Sequence, residues 1–293
     1  MRVTQNQMYD SLTVGINKQL KIKNDANAAI SSGTRFQRPA QAGLDYKISL
    51  DLRHTQSQIK GSVEALSVAD SRLSASQTML NDISNVLTRA QTIAVQQASA
   101  QTGSGEQLTA AVEVRHLLDQ VANSANQTWM GEALFAGTDT GAIAFVQDAT
   151  GAYQYQGSNQ DRTVAVNTNQ SITTNVRGDE PAFSNTFNAL QSFITALETG
   201  DRQGISDAIG NITSATNEIV DLTSRVGGQI NAIQNYKTSY DDMKFAIDKR
   251  LNEHESADVA KLVVDMQTAD IALQASYTQI ANLKNMSLIN YLR

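Results

Sequence analysis

Three histidines are the side chains best suited to chemistry: His54, His116 and His254. They lie far apart in the sequence, and none forms a pair at metal-ligand spacing. His254-Glu255-Ser256-Ala257-Asp258 starts like the helical zinc motif but has aspartate where the second histidine must stand. His254 therefore reads as a polar residue on a helix surface. The chain has no cysteine, which excludes disulfides and thiolate metal sites. Gly137-Thr138-Asp139-Thr140-Gly141 lacks the lysine that completes a phosphate loop and reads as a turn. Asp241, Asp242, Asp265 and Asp270 fall among lysine and glutamine in helical sequence, as on a solvated face. No nucleophile has a base at motif spacing. The expectation is no catalytic residue, no cofactor, no metal, and a protein that is not an enzyme.

The composition suits helices with alanine-rich seams better than a thick globular core: 41% of residues are apolar and only 5% aromatic. Only two prolines, Pro39 and Pro181, interrupt a chain of 293 residues, so long helices meet few breaks. The net charge is -6 with both signs interspersed. No basic patch stands out, so nucleic acid is not an expected partner. No apolar run of about 18 residues occurs, so no membrane insertion is expected. Met1 to Leu20 lacks the apolar stretch of a signal peptide.

The longest regular element predicted runs from Ile48 to Gln97. Fourteen positions in 4-3 spacing, from Ile48 through Leu66, Leu73, Leu80 and Leu87 to Ala94, include eleven apolar residues. That sustains a coiled-coil pattern well beyond three or four heptads. At 1.5 Å per residue such a helix is about 75 Å long. A second run from Ile205 to Arg250 places Ile205, Ala208, Ile212, Ala215, Ile219, Leu222, Val226, Ile233 and Met243 on one stripe. Gly227-Gly228 within it is read as a bend or a close helix approach. Shorter helices are predicted around Leu108–Ala125 and Phe183–Leu197, with turns at Gly103-Ser104-Gly105 and Thr199-Gly200-Asp201.

Between Gly137 and Pro181 the helical period disappears. Tyr153-Gln154-Tyr155, Thr163–Val166 and Ile172–Val176 read as three or four short strands punctuated by glycine. The fold class expected is mainly α: an elongated helical coiled-coil bundle formed by both chain halves, with a small β-rich insertion. The domains expected are a terminal assembly region (1–44 and 255–293), a central long-helix bundle (45–136 and 182–254), and an outer β-rich insertion (137–181).

Both ends are amphipathic. Met8, Leu12, Ile16 and Leu20 recur every fourth residue, and Val259, Leu262, Met266, Ala269, Leu273, Ile280 and Leu283 recur at three- and four-residue steps. The last eight residues, Met286 to Arg293, are strongly apolar for a chain end. The expected assembly interface comprises Met8, Leu12, Ile16, Leu20, Leu273, Tyr277, Ile280, Leu283, Leu288, Ile289, Tyr291 and Leu292.

Several motifs carry a family resemblance. The opening Met1-Arg2-Val3-Thr4-Gln5-Asn6-Gln7-Met8-Tyr9, the central Ala133-Leu134-Phe135-Ala136-Gly137-Thr138-Asp139-Thr140, and the closing Asp258-Val259-Ala260-Lys261-Leu262, Leu273-Gln274-Ala275-Ser276-Tyr277 and Ser287-Leu288-Ile289-Asn290-Tyr291-Leu292 resemble the flagellar hook-associated protein 3 family, within the flagellin-like proteins. Ser32-Gly33-Thr34-Arg35…Pro39 resembles the family's turn, but Ala40-Gln41-Ala42 replaces its usual acidic residues.

The resemblance implies a structural component of the bacterial flagellum at the hook–filament junction, on which flagellin polymerises. Its implied partners are further copies of itself in a ring, the preceding hook-associated protein, flagellin, and an export chaperone covering the C-terminal helix. It implies an extracellular location reached by type III export without a cleaved signal peptide. The alternatives are flagellin itself, a filament subunit, and an intracellular coiled-coil scaffold.

Overall fold

The computed structural model describes residues 2–36, 38, 42–99, 103–139, 141–149, 151–167 and 169–289, with side chains from residue 7 to residue 283 of that set. Six helices are described: α1 (Arg2–Ser32), α2 (Leu44–Ser99), α3 (Ser104–Ala125), α4 (Pro181–Thr199), α5 (Arg202–Glu255) and α6 (Val259–Ile289). Between α3 and α4 six short strands are found among the described residues: β1 (Thr128–Trp129), β2 (Glu132–Ala133), β3 (Phe145–Gln147), β4 (Tyr153–Tyr155), β5 (Thr163–Asn167) and β6 (Gln170–Thr173). The mainly α class with a small β-rich insertion is as expected. The chain forms two compact units, Ile59–Asp241 and the terminal pair Met1–Gln58 with Asp242–Arg293.

The larger unit is a helical bundle drawn from both chain halves. Gln91 donates to Thr213 at 2.8 Å and Lys237 pairs with Asp70 at 3.6 Å, so α2 and α5 run antiparallel. Arg89–Glu113 ties α2 to α3, Arg115–Glu198 ties α3 to α4, and Asn185–Glu218 ties α4 to α5. The expected 4-3 stripe of α2 is the buried one: Leu66, Ala69, Leu73, Ser76, Leu80, Ile83, Leu87, Ala90 and Ala94 all lose their solvent. The α5 stripe is buried from Ile205 to Ile233 but fails at Met243, which is exposed. Gly227 leaves room for Gln77, whose amide nitrogen would stand 3.4 Å from an added Cβ. That supports close approach, since α5 continues through both glycines.

One of the two expected turns differs in the structure. Ser104 and Gly105 already belong to the first turn of α3, with Gly103 as its N-cap. The other turn holds: α4 ends in a left-handed Gly200 at φ 67°.

The strands form three separate antiparallel hairpins, β1–β2, β3–β4 and β5–β6. The first, whose strands have only two residues each, precedes the segment read as β-rich; a stretch that short shows no alternation. Aromatic packing seats the insertion on the helices. Phe145 meets Phe183 at 5.3 Å and Phe187 at 5.1 Å, and Tyr153 stacks on Phe187 at 4.7 Å. The Tyr240 hydroxyl of α5 donates to the Val166 carbonyl.

Gly137 explains the Ala-Gly-Thr-Asp segment. Its φ is 66°, and an added Cβ would stand 2.1 Å from the Ser158 carbonyl oxygen, a rigid backbone atom. Gly137→Ala combines left-handed strain with overpacking and is expected to cost about 2–3 kcal/mol. Thermal unfolding of the full chain checks this; an unchanged midpoint would mean that the loop gives way freely.

Candidate assembly surface

The terminal unit is built on α1 and α6. Lys23 Nζ lies 2.7 Å from Asp270 Oδ1, and Ala257, just before α6, bonds Gly33, just past α1, so the two helices run antiparallel. Ala26 and Ala29 of α1, with Ala269 and Leu273 of α6, are buried; the alanines let the helices approach closely. Asp258 is the N-cap of α6, its carboxylate accepting from the Lys261 amide at 3.0 Å. That gives the closing Asp258–Leu262 motif a physical reason. Gly33, at φ 69°, terminates α1. Pro39, the other expected anchor of that turn, lies outside the described residues, with Ala40 and Gln41.

The chain crosses between helices through two segments zipped by backbone hydrogen bonds. Arg35 N donates to Glu255 O at 2.6 Å, and Ala257 N to Gly33 O at 3.1 Å. Arg53 adds a two-pronged pair to Glu255, at 3.1 and 2.7 Å. The Glu255 hydrogen bonds raise the Arg53 pKa above its ordinary value, against the opposing effect of burial. Gln56 donates to Asp248 at 2.5 Å.

Of the twelve expected interface residues, Leu273 is buried between α1 and α6. Leu12, Ile16, Ile280 and Leu283 are half-buried. Met8, Leu20 and Tyr277 remain exposed. Leu288 and Ile289 stand in the last turn of α6 with side chains outside the described set, and Tyr291 and Leu292 lie outside the described residues.

Leu20 leaves the packed face for a geometric reason. A strict four-residue step advances about 40° beyond a full turn each time, so the stripe drifts around the helix. Gly15, Gln19, Ile22 and Lys23 are at least half-buried in its place.

The sequence stripe also understated the apolar surface. Tyr9 and Val14 on α1, and Val259, Val263, Val264 and Ile271 on α6, are exposed large apolar residues. Only Val259 belongs to the expected stripe. The signal was present as off-stripe valine and isoleucine. A helix with apolar residues all round is normally enclosed on every side, and α1 covers only one side of α6.

His54 and His116 are exposed and His254 is half-exposed. Among the described residues, no three His, Cys, Asp or Glu side chains are grouped to hold a metal ion, and no helix is long and apolar enough to cross a membrane.

Comparison with known proteins agrees with this architecture. Residues 3–140 match the bacterial flagellin N-terminal helical region. The chain is 23% identical to flagellar hook-associated protein 3 of Salmonella typhimurium over 314 aligned positions, covering 98% of each chain. In solved structures it shares the fold of Bacillus cereus FlgL, at TM-score 0.60 and 21% identity over 69% of this chain and 99% of that one. It also shares the fold of the flagellar junction protein FlgL of Legionella pneumophila, at TM-score 0.56 and 16% identity over 64% of this chain and 99% of that one. The expected resemblance to flagellar hook-associated protein 3 and the flagellin-like proteins is borne out.

Proposed function

We propose that this chain forms the junction between the flagellar hook and filament, as a ring on which flagellin polymerises. Its relatives indicate a structural component of the flagellum, and they are structural proteins rather than enzymes. The observation that carries the finer reading is the apolar surface left open around α6 and α1. Burying it between neighbouring copies contributes about 25 cal/mol per Å² of apolar area. The Legionella neighbour is itself named a flagellar junction protein.

In this reading, residues 1–44 with 255–293 make the assembly region, 45–136 with 182–254 the central bundle, and 137–181 an outer insertion. The twelve interface residues, Met8 to Leu20 and Leu273 to Leu292, contact neighbouring copies, the preceding hook-associated protein and flagellin. An export chaperone covers α6 before assembly, and the protein reaches the cell exterior by type III export without a cleaved signal peptide.

Immuno-electron microscopy of intact flagella tests the location. A single band at the hook–filament boundary is expected. Labelling along the whole filament would favour the second reading, a filament subunit, which the match to the flagellin N-terminal region supports. Deleting Ser287 to Arg293 is expected to abolish filament growth while the unfolding midpoint of the larger unit stays unchanged. Normal filaments on the truncated protein would remove the C-terminus from the interface.

A further inference from the structure

One cavity of the larger unit gathers hydrogen-bonding groups that the fold leaves unused. It measures about 170 Å³ and lies where the chain leaving β6 meets α5. Asn175, one of its lining residues, is only 4% exposed. Its Oδ1 accepts from the Arg162 amide at 2.9 Å. That bond fixes the orientation of the side chain, since the flipped amide would set donor against donor. Nδ2 is then buried with no hydrogen-bond partner among the described residues. A buried donor left unmade is costly, and in a native fold it marks a position where a partner belongs.

Two further neutral polar side chains line the same cavity, Thr173 and Gln229, both half-buried. Among the described residues neither enters a side-chain hydrogen bond. Val176, Leu222 and Val226 are buried and add an aliphatic wall.

The charges around the cavity are closed into pairs. Arg225 lies 2.9 Å from Glu180, and Arg177 lies 3.0 Å from Asp179 and 3.5 Å from Asp161. Each cation already faces a carboxylate, so the site favours a neutral ligand. The volume is close to the roughly 150 Å³ that holds a single benzene ring, and below the about 300–1,000 Å³ of pockets for drug-sized molecules.

These conditions select one small neutral ring with hydroxyls on its edge and C–H bonds on its face. We propose that the cavity binds a single monosaccharide unit. A ring hydroxyl oxygen accepts from Asn175 Nδ2, neighbouring hydroxyls bond Thr173 and Gln229, and the C–H face packs on Leu222 and Val226. The site lies within one copy of the larger unit, so it needs no neighbouring copy and does not depend on the ring reading above.

Saturation-transfer and chemical-shift NMR on the full-length chain test this, with glucose, galactose, mannose and N-acetylglucosamine as probes. At least one is expected to bind with millimolar affinity and to move the Asn175 side-chain amide resonances. Its methyl glycoside separates two sources of the same chemistry. Equal binding identifies the end of a glycan, and binding only with a free anomeric hydroxyl identifies the free sugar; both support the site.

Thr173→Val keeps the side-chain shape and Gln229→Leu keeps most of its length. Neither removes a hydrogen bond within the described protein, so both are expected to melt with the parent yet to bind the sugar about tenfold more weakly. Unchanged binding in both variants puts the sugar elsewhere and overturns the proposal. Absence of saturable binding for all four probes also overturns it. So does inorganic phosphate that moves the same resonances at lower concentration than every sugar, because the site then selects an anion.

Discussion

Phe183→Ala is expected to destabilise the larger unit by about 4 kcal/mol, the range for emptying a fully buried aromatic site. Phe183 has no solvent exposure, and its ring lies 5.0 Å from Phe135 and 5.3 Å from Phe145. It joins the first turn of α4 to the segment after β2 and to β3, so its loss opens a void where helix and insertion meet. Phe183→Leu keeps much of the apolar area and forfeits mainly the ring contacts, worth about 0.5–1.5 kcal/mol per pair. Denaturant unfolding followed by circular dichroism distinguishes the two. Equal losses for Ala and Leu would mean that ring geometry, rather than filled volume, dominates at this site.

Glu132→Ala is expected to cost about 3 kcal/mol, at the low end for breaking a buried ion pair because Glu132 is itself partly solvated. Arg72 keeps its bond to the Ala133 carbonyl but loses the carboxylate of Glu132. Its Nε is already buried without a hydrogen-bond partner. Burial, and then the charge of Arg162, push the Arg72 pKa down from its ordinary value.

For Glu132, burial acts upward, but hydrogen bonds and charge from Arg162 and Arg72 outweigh it and hold the carboxyl below its ordinary value. A depressed carboxyl stabilises the fold fully above its unfolded pKa. That contribution is lost as pH falls through the lower folded pKa. The wild-type chain is therefore expected to lose stability on acidification more steeply than Glu132→Ala over that window. Parallel pH profiles for the two chains would show that Glu132 titrates alike in folded and unfolded protein.

Much of the bundle was legible because burial follows helical period. The α2 stripe from Leu66 to Ala94 needed only spacing, and every one of those heptad positions is buried. Met243 was misplaced because period reports which face is apolar, not whether another element covers it. The β1–β2 hairpin was missed because strands of two residues leave no pattern. Arg72 could not have been singled out either. Among the polar positions of α2, only the tertiary fold brings it to Glu132, 60 residues away. The terminal stripes are legible, but the wider apolar surface of α6 lies on Val263, Val264 and Ile271, which fall outside the stripe's period.

The pairing of α2 with α5 bears on folding kinetics. Gln91 and Thr213 are 122 residues apart in the chain, Gln56 and Asp248 192, and Lys23 and Asp270 247. Contacts this distant must close large loops before they stabilise anything, and such topologies fold slowly. During synthesis α2 is complete long before α5 emerges, so its leucine stripe is left without that partner. A chain whose ends meet last remains an extended, threadable polymer for longer than one built from local hairpins. The same delay that invites aggregation of the nascent chain would serve the proposed export route, in which the chain passes through a channel before it folds.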